Sequence, residues 1–187
     1  MSITLNGTTG ITTPAIDNQG NLTVDGGTIK LDGNYPVGTG NVALGNTALD
    51  SNVSGGSNVA IGADALTANT TSNHTAVGYQ ALSNNVDGQN NQAFGYLAMT
   101  ANVSGSNNAA FGTGALQSSI TSDNAAFGSG VTAVSGGALN SATTGTRNSA
   151  FGGGAAASTT SGNYNVAVGA LALKSNITAS NNTAVGY

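Results

Sequence analysis

Charge, sulfur and large rings are what this chain of 187 residues has least of. It holds three cations and seven anions, no cysteine and no tryptophan. Without cysteine there is neither a disulfide framework nor a thiolate metal site, and the redox compartment stays open. Lys30, Arg147 and Lys174 are the only cations and the net charge is −4, which excludes a groove that tracks nucleic-acid phosphates. Charged residues amount to 5%, against roughly 25% in an average soluble domain. Charge-driven disorder is excluded too, because 39% of the chain is hydrophobic. That apolar share is mostly Ala, Val and Leu, with 4 Phe and 5 Tyr, so the expected core is thin. No run approaches the ~18 apolar residues that span a bilayer. Met1-Ser2-Ile3-Thr4-Leu5-Asn6-Gly7 has neither the basic nor the apolar stretch of a secretory signal. As it stands, the sequence predicts no membrane insertion and no export by a conventional signal.

What the chain has in excess is glycine, with 29 residues, and repetition. A motif Asn-x-Ala-apolar-Gly recurs with its Ala at Ala43, Ala60, Ala76, Ala93, Ala110, Ala126, Ala150, Ala167 and Ala184. The spacing is 16 or 17 residues except for one interval of 24. Two residues after each Ala stands a glycine: Gly45, Gly62, Gly78, Gly95, Gly112, Gly128, Gly152, Gly169 and Gly186. Two residues before it stand Asn41, Asn58, Asn91, Asn108, Asn124, Asn148, Asn165 and Asn182, with His74 as the one departure. A second apolar pair follows five and six positions on, as in Ala48-Leu49, Ala65-Leu66 and Ala98-Met99. A turn stretch such as Asn52-Val53-Ser54-Gly55 closes the unit. The long interval, near 126–150, predicts an irregular coil in which Ala133-Val134 with Ala138-Leu139 is a degenerate extra copy.

Short apolar pairs broken by Gly and Asn every few residues cannot sustain a helical stripe. Gly and Asn tolerate the positive φ that tight corners require. One unit therefore predicts strand, corner, strand, corner, and the whole predicts an all-β parallel solenoid, a β-roll of about 17-residue coils over 41–187. Stacked coils would place each Asn, and His74, over the next, where side-chain amides can bond along the ladder. The glycines would form the corners. A coil buries only small side chains and still leaves Val, Phe and Leu outside. One thin roll is marginal by itself, and packing around an axis as a homotrimer would bury a second face. Residues 1–40 differ, with both prolines (Pro14 and Pro36) and short β runs between turn signals, and predict a separate N-terminal attachment segment. The chain stops inside a motif at Thr183-Ala184-Val185-Gly186-Tyr187 with no capping element, which predicts the front of a longer protein.

The runs Asn58-Val59-Ala60-Ile61-Gly62-Ala63-Asp64-Ala65-Leu66 and Thr75-Ala76-Val77-Gly78-Tyr79-Gln80-Ala81-Leu82 carry a resemblance. They are similar to the head repeats of trimeric autotransporter adhesins, which implies a left-handed parallel β-roll trimer. They also resemble the Asn-Thr-Ala-Val-Gly-Tyr-x-Ala-Leu arrays of bacteriophage tail fibres. The opening Ile3-Thr4-Leu5-Asn6-Gly7-Thr8-Thr9-Gly10-Ile11-Thr12-Thr13-Pro14 looks like the start of phage fibre proteins. The absent export signal and the 17-residue unit favour the phage relative. The resemblance implies a virion fibre used in host attachment. Other virion proteins would be partners through the N-terminal segment, and a host receptor or glycan would be the target. A trimeric capsid decoration protein and a bacterial surface adhesin are the alternatives.

No residue pattern predicts an enzyme, a cofactor or a metal site. A single histidine cannot build a His-based triad or a multi-histidine metal site. Asp50, Asp64, Asp87 and Asp123 fall at different repeat phases, whereas a calcium-binding repeat would stack them. Gly152-Gly153-Gly154 lacks the Lys-Ser/Thr of a phosphate loop. The residue before each repeat Ala is too varied for the registered Thr column of an ice-binding face. Tyr79, Tyr96 and Tyr187 share one phase and could stack on a sugar, although covering a corner or a trimer seam accounts for them more simply.

Overall fold

The computed structural model describes residues 38–129 and 137–187. The N-terminal β segment expected over 1–40, apart from its last three residues, and the Ala133-Val134 pair lie outside the described residues. Within them, each Ala-centred run forms a strand of three residues. These are β1 (Val42–Leu44), β2 (Val59–Ile61), β3 (Thr75–Val77), β4 (Gln92–Phe94), β5 (Ala109–Phe111), β6 (Ala125–Phe127), β7 (Ser149–Phe151), β8 (Val166–Val168) and β9 (Thr183–Val185). They pair in parallel and in chain order as one sheet, with no helix among the described residues. The register is Ala over Ala throughout, from Ala43↔Ala60 to Ala167↔Ala184. The chain is a β-solenoid whose eight strand-to-strand steps, at ~4.8 Å each, stack to about 38 Å.

Alternation along three residues decides which way each side chain goes. The central Ala points inward and is fully buried from Ala60 to Ala167. Its two neighbours point out. Facing the Ala column inside is a column of larger residues, Leu49, Leu66, Leu82, Met99, Leu116 and Leu139, all buried. A second alanine column beside it, including Ala65, Ala81, Ala98 and Ala115, completes a core only a few side chains across.

The second half of the coil differs from the expected strand. The leucines and methionine of the inner column lie in the left-handed region, with φ between 49° and 58°. Two residues earlier, Thr47, Asp64, Gln80, Leu97 and Leu171 do the same, with φ of 52–60°. The segment is two linked turns: Ala65 N–H donates to Gly62 O at 3.3 Å, and Asn69 N–H to Leu66 O at 3.1 Å. Coil-to-coil bonding persists nonetheless, as where Leu66 N–H reaches Ala81 O and Leu82 N–H reaches Ala98 O. The reason is width. Two strands face to face need ~10 Å between them, and a core lined by Ala and one Leu per coil does not hold them that far apart. A left-handed Leu costs about 1–2 kcal/mol, which burial of the side chain and the bond to the next coil offset.

The interval of 24 residues is also resolved differently. β6 pairs directly with β7, Ala126↔Ala150, so no extra coil intervenes. Ala138-Leu139 fills the ordinary second-pair position of that coil. Leu116 N–H donates to Ala138 O, and Leu139 N–H to Ala155 O, both at 3.0 Å. The irregular coil is thus a normal one with an insertion between Ser129 and Gly137, rather than a degenerate copy.

Candidate functional site

The ladder position is where the chain places its most ordered polar chemistry. Asn41 Oδ1 accepts the backbone N–H of Asn58 at 2.8 Å, and Asn58 Oδ1 accepts that of His74 at 3.0 Å. The pattern continues from Asn91 to Asn108, Asn124, Asn148, Asn165 and Asn182 at 2.9–3.0 Å. The amide nitrogen reaches a corner carbonyl three residues before the N–H that its oxygen accepts: Asn58 to Thr71 O at 2.8 Å, Asn91 to Gly105 O at 2.7 Å and Asn148 to Gly162 O at 2.8 Å. One side chain thereby satisfies a donor and an acceptor of the segment that leads into the next strand, as burial requires. Only Asn182, on the last described coil, is half-buried.

His74 substitutes for Asn with its ring. Nδ1 accepts the N–H of Asn91 at 3.3 Å, so the ring proton resides on Nε2, which faces Thr71 Oγ1 at 3.0 Å. Thr71 Oγ1 in turn donates to Gly88 O. The polar groups around the ring come from Asn91, Thr71, Asn85 and the backbone of Gly88, none of them charged. Burial pushes the imidazole down from its ordinary 6.5 to about 4. The neutral ring, buried in the stack, is therefore a structural acceptor here.

A second amide column lies beside the first and escaped the sequence reading. Asn52, Asn69, Asn85 and Asn102 are buried, three residues after the inner Leu or Met. Their amide nitrogens cap Gly55 O, Thr71 O, Gly88 O and Gly105 O at 2.9–3.1 Å. Asn102 also reaches Asn85 Oδ1, and Asn85 reaches Asn69 Oδ1. The signal is the recurrent spacing of an Asn three residues after the inner Leu or Met, from Leu49 and Asn52 to Met99 and Asn102.

The corner glycines stack as expected, and Gly95 shows why the position admits nothing else. Its φ is 140°, and a Cβ there would sit 2.6 Å from Gly112 O and 2.7 Å from Gly112 C. Consecutive coils touch backbone to backbone at this edge.

Outside, the third residue of each strand forms an unbroken apolar column: Leu44, Ile61, Val77, Phe94, Phe111, Phe127, Phe151, Val168 and Val185. The four phenylalanines stack ring on ring at 4.6, 4.7 and 5.0 Å, within 9° of parallel. The repeated Ala-Phe-Gly triplets could have disclosed this ladder. Of the three tyrosines at one phase, Tyr79 and Tyr96 come together, 5.6 Å apart and 16° from parallel. Tyr187 is coils away, with Thr113, Ser129, Gly153 and Ala170 at the intervening positions. Since the paired rings spend a face on each other, they make a poor sugar platform. One charged cluster stands elsewhere on the surface. Arg147 donates to Tyr164 Oη at 2.9 Å and lies 3.9 Å from Asp123. Asp50, Asp64, Asp87 and Asp123 occupy four different columns, as their phases required. Among the described residues no group of three or more His, Asp or Glu gathers as a metal site would need. No family model, no curated protein and no solved structure matches this chain.

Proposed function

We propose that this chain is the shaft of a bacteriophage fibre: a homotrimeric rod, fixed to the particle through residues 1–40, that carries host recognition outward along 41–187. The observation that supports the reading most is the filled interior of the solenoid. Ala, Leu and amide columns occupy it from coil to coil, and the histidine within it is committed to a neutral backbone contact. Such a rod transmits position and stiffness, and what it presents lies on its surface or at its tip. The resemblance of its Ala-Val-Gly-Tyr units and its opening residues to phage fibres supplies the setting. Its partners would be further copies of itself, other particle proteins at the N-terminal segment and a receptor or glycan on the host surface.

Labelling purified phage particles with gold-conjugated antibody against residues 41–187 tests the proposal. Gold on the tail or its fibres is the expected result. Gold spread over the head would replace the fibre with a capsid decoration protein, and unlabelled particles would overturn the virion assignment in favour of a cell-surface adhesin. Deleting residues 1–36 should leave a soluble assembly that no longer joins particles. Association that survives the deletion would refute the anchor.

A further inference from the structure

We infer that copies of this chain meet along the strand face, with the outward column centred on Phe94, Phe111, Phe127 and Phe151 as the seam. This rests on the self-associating rod proposed above and names its contact surface. Three surfaces compete for the role. The corner after the second amide column is β-branched and exposed, with Val53 at 72% and Val103 at 44%, but Thr70, Thr143 and Thr160 interrupt it. Ser54, Asp87 and Ser104 flank it directly. The tyrosine column amounts to one stacked pair. Only the column of third strand residues is apolar in all nine coils; the first outward position carries Thr75, Gln92, Ser149 and Thr183, and neither outward position of any strand is charged. Leu44 is 48% exposed, Phe151 42% and Val168 37%, while Val77, Phe94 and Phe111 in the middle of the column are half-buried. A contiguous apolar strip of this kind marks a contact surface on a soluble protein.

The period of the strip says what covers it. Side chains repeat every ~4.8 Å over about 38 Å, and the phenylalanine rings sit 4.6–5.0 Å apart, in step with the coils. A sheet in an ordinary globular partner offers a row at that interval over only about 4–6 strands, and its twist carries the row away from a straight strip. A second copy offers the same row at the same interval, so every coil finds its equivalent. Rotation about an axis parallel to the rod closes such an assembly with all copies pointing one way. The Asp, Arg and Lys side chains of the described coils all lie on other columns, so the seam itself carries no charge.

The chain has no native cysteine, so single cysteines report contact cleanly. With full-length chains, Val77→Cys and Phe111→Cys should join into covalent dimers through a short bis-maleimide, and Val103→Cys at the corner should not. In sedimentation equilibrium the wild type should run at a multiple of 18.0 kDa. Phe111→Lys with Phe127→Lys should run at 18.0 kDa while keeping its β circular dichroism. A wild type that stays at one chain mass at every concentration would overturn self-association itself. A multimer that links through Val103→Cys and survives the lysines would overturn this seam alone and leave the assembly standing. Neither result depends on where gold lands on a particle.

Discussion

Glycine and histidine show how much a single position in this repeat carries. At Gly95, positive φ and contact with the next coil act together, so Gly95→Ala should cost about 3 kcal/mol. Urea unfolding reads this directly, and an unchanged midpoint would mean that the coils can separate at the corner without penalty. His74 makes a different prediction because its neutral form is the structural one. The unfolded ring takes up a proton near 6.5 and the folded ring only near 4, so the unfolded state binds more protons between them. The stability tied to this ring is fully present above pH 6.5 and is lost as the pH falls toward 4, to a total of roughly 3 kcal/mol. Protonation would set an Nδ1–H against the Asn91 N–H that it now accepts. His74→Asn restores the amide used by Asn58 and Asn91 and should remove this part of the acid sensitivity. If wild type and His74→Asn lose stability in parallel between pH 7 and 4, the ring has no such role.

Ladders, and not single bonds, hold the elements together. Asn108 illustrates the unit: Oδ1 accepts Asn124 N–H at 2.9 Å, and Nδ2 donates to Thr121 O at 2.6 Å. Asn108→Ala strands a buried donor and a corner carbonyl, at about 2 kcal/mol. Amide exchange gives a local check, since Asn124 N–H should lose protection while Asn58 N–H, several coils away, keeps it. Equal protection at both sites would show that water replaces the amide at no cost. The inner column has one weak layer. Ala156 stands where Leu139 precedes and Leu173 follows, with the same left-handed backbone, φ 50° against 49° and 53°. Ala156→Leu should therefore raise the thermal midpoint, by roughly 1 kcal/mol in stability. A lower midpoint would reveal that neighbouring side chains have already closed the layer and that the larger residue overpacks it.

For the molecule as a whole, each coil is bonded to the coils before and after it, so the stack tolerates additions that leave its register alone. The coil containing β6 is the natural example. Gly128 and Ser129 before the insertion, with Gly137 and Ala138 after it, reproduce the order of Gly112, Thr113, Gly114 and Ala115. Ala138 N–H donates to Gly128 O at 3.1 Å, as Ala115 N–H donates to Gly112 O at 3.2 Å. Deleting residues 130–136 should thus give a 17-residue coil without disturbing Ala126↔Ala150. The β signal should be preserved and stability should shift by less than about 1 kcal/mol, since the entropy of closing a loop varies slowly with its length. Loss of the fold on deletion would show that the insertion is an integral part of the stack.

Much of this architecture was legible because a solenoid writes its contacts into its period. Neighbours in space are one repeat apart, so the Ala register, the Asn ladder with His74 as its variant, the glycine corners and the scattered phases of the aspartates all follow from the spacing alone. The residues of the phenylalanine ladder and of the second amide column were equally periodic, and what they would do depended on knowing which way each side chain points. Other features were settled only by the closed coil. Leucine does not ordinarily adopt positive φ, and nothing local asks for it at Leu66 or Leu82. The narrow alanine-lined interior leaves no room for an opposing strand, so the chain turns there instead of extending. The same closure decided that Ala138, and no earlier alanine, completes the coil of β6, because bonding to the coils on either side selects the residues that fit. Sequence period determined which residues stack, and tertiary closure determined the backbone path between the stacks, since that path is fixed by the width the filled core allows.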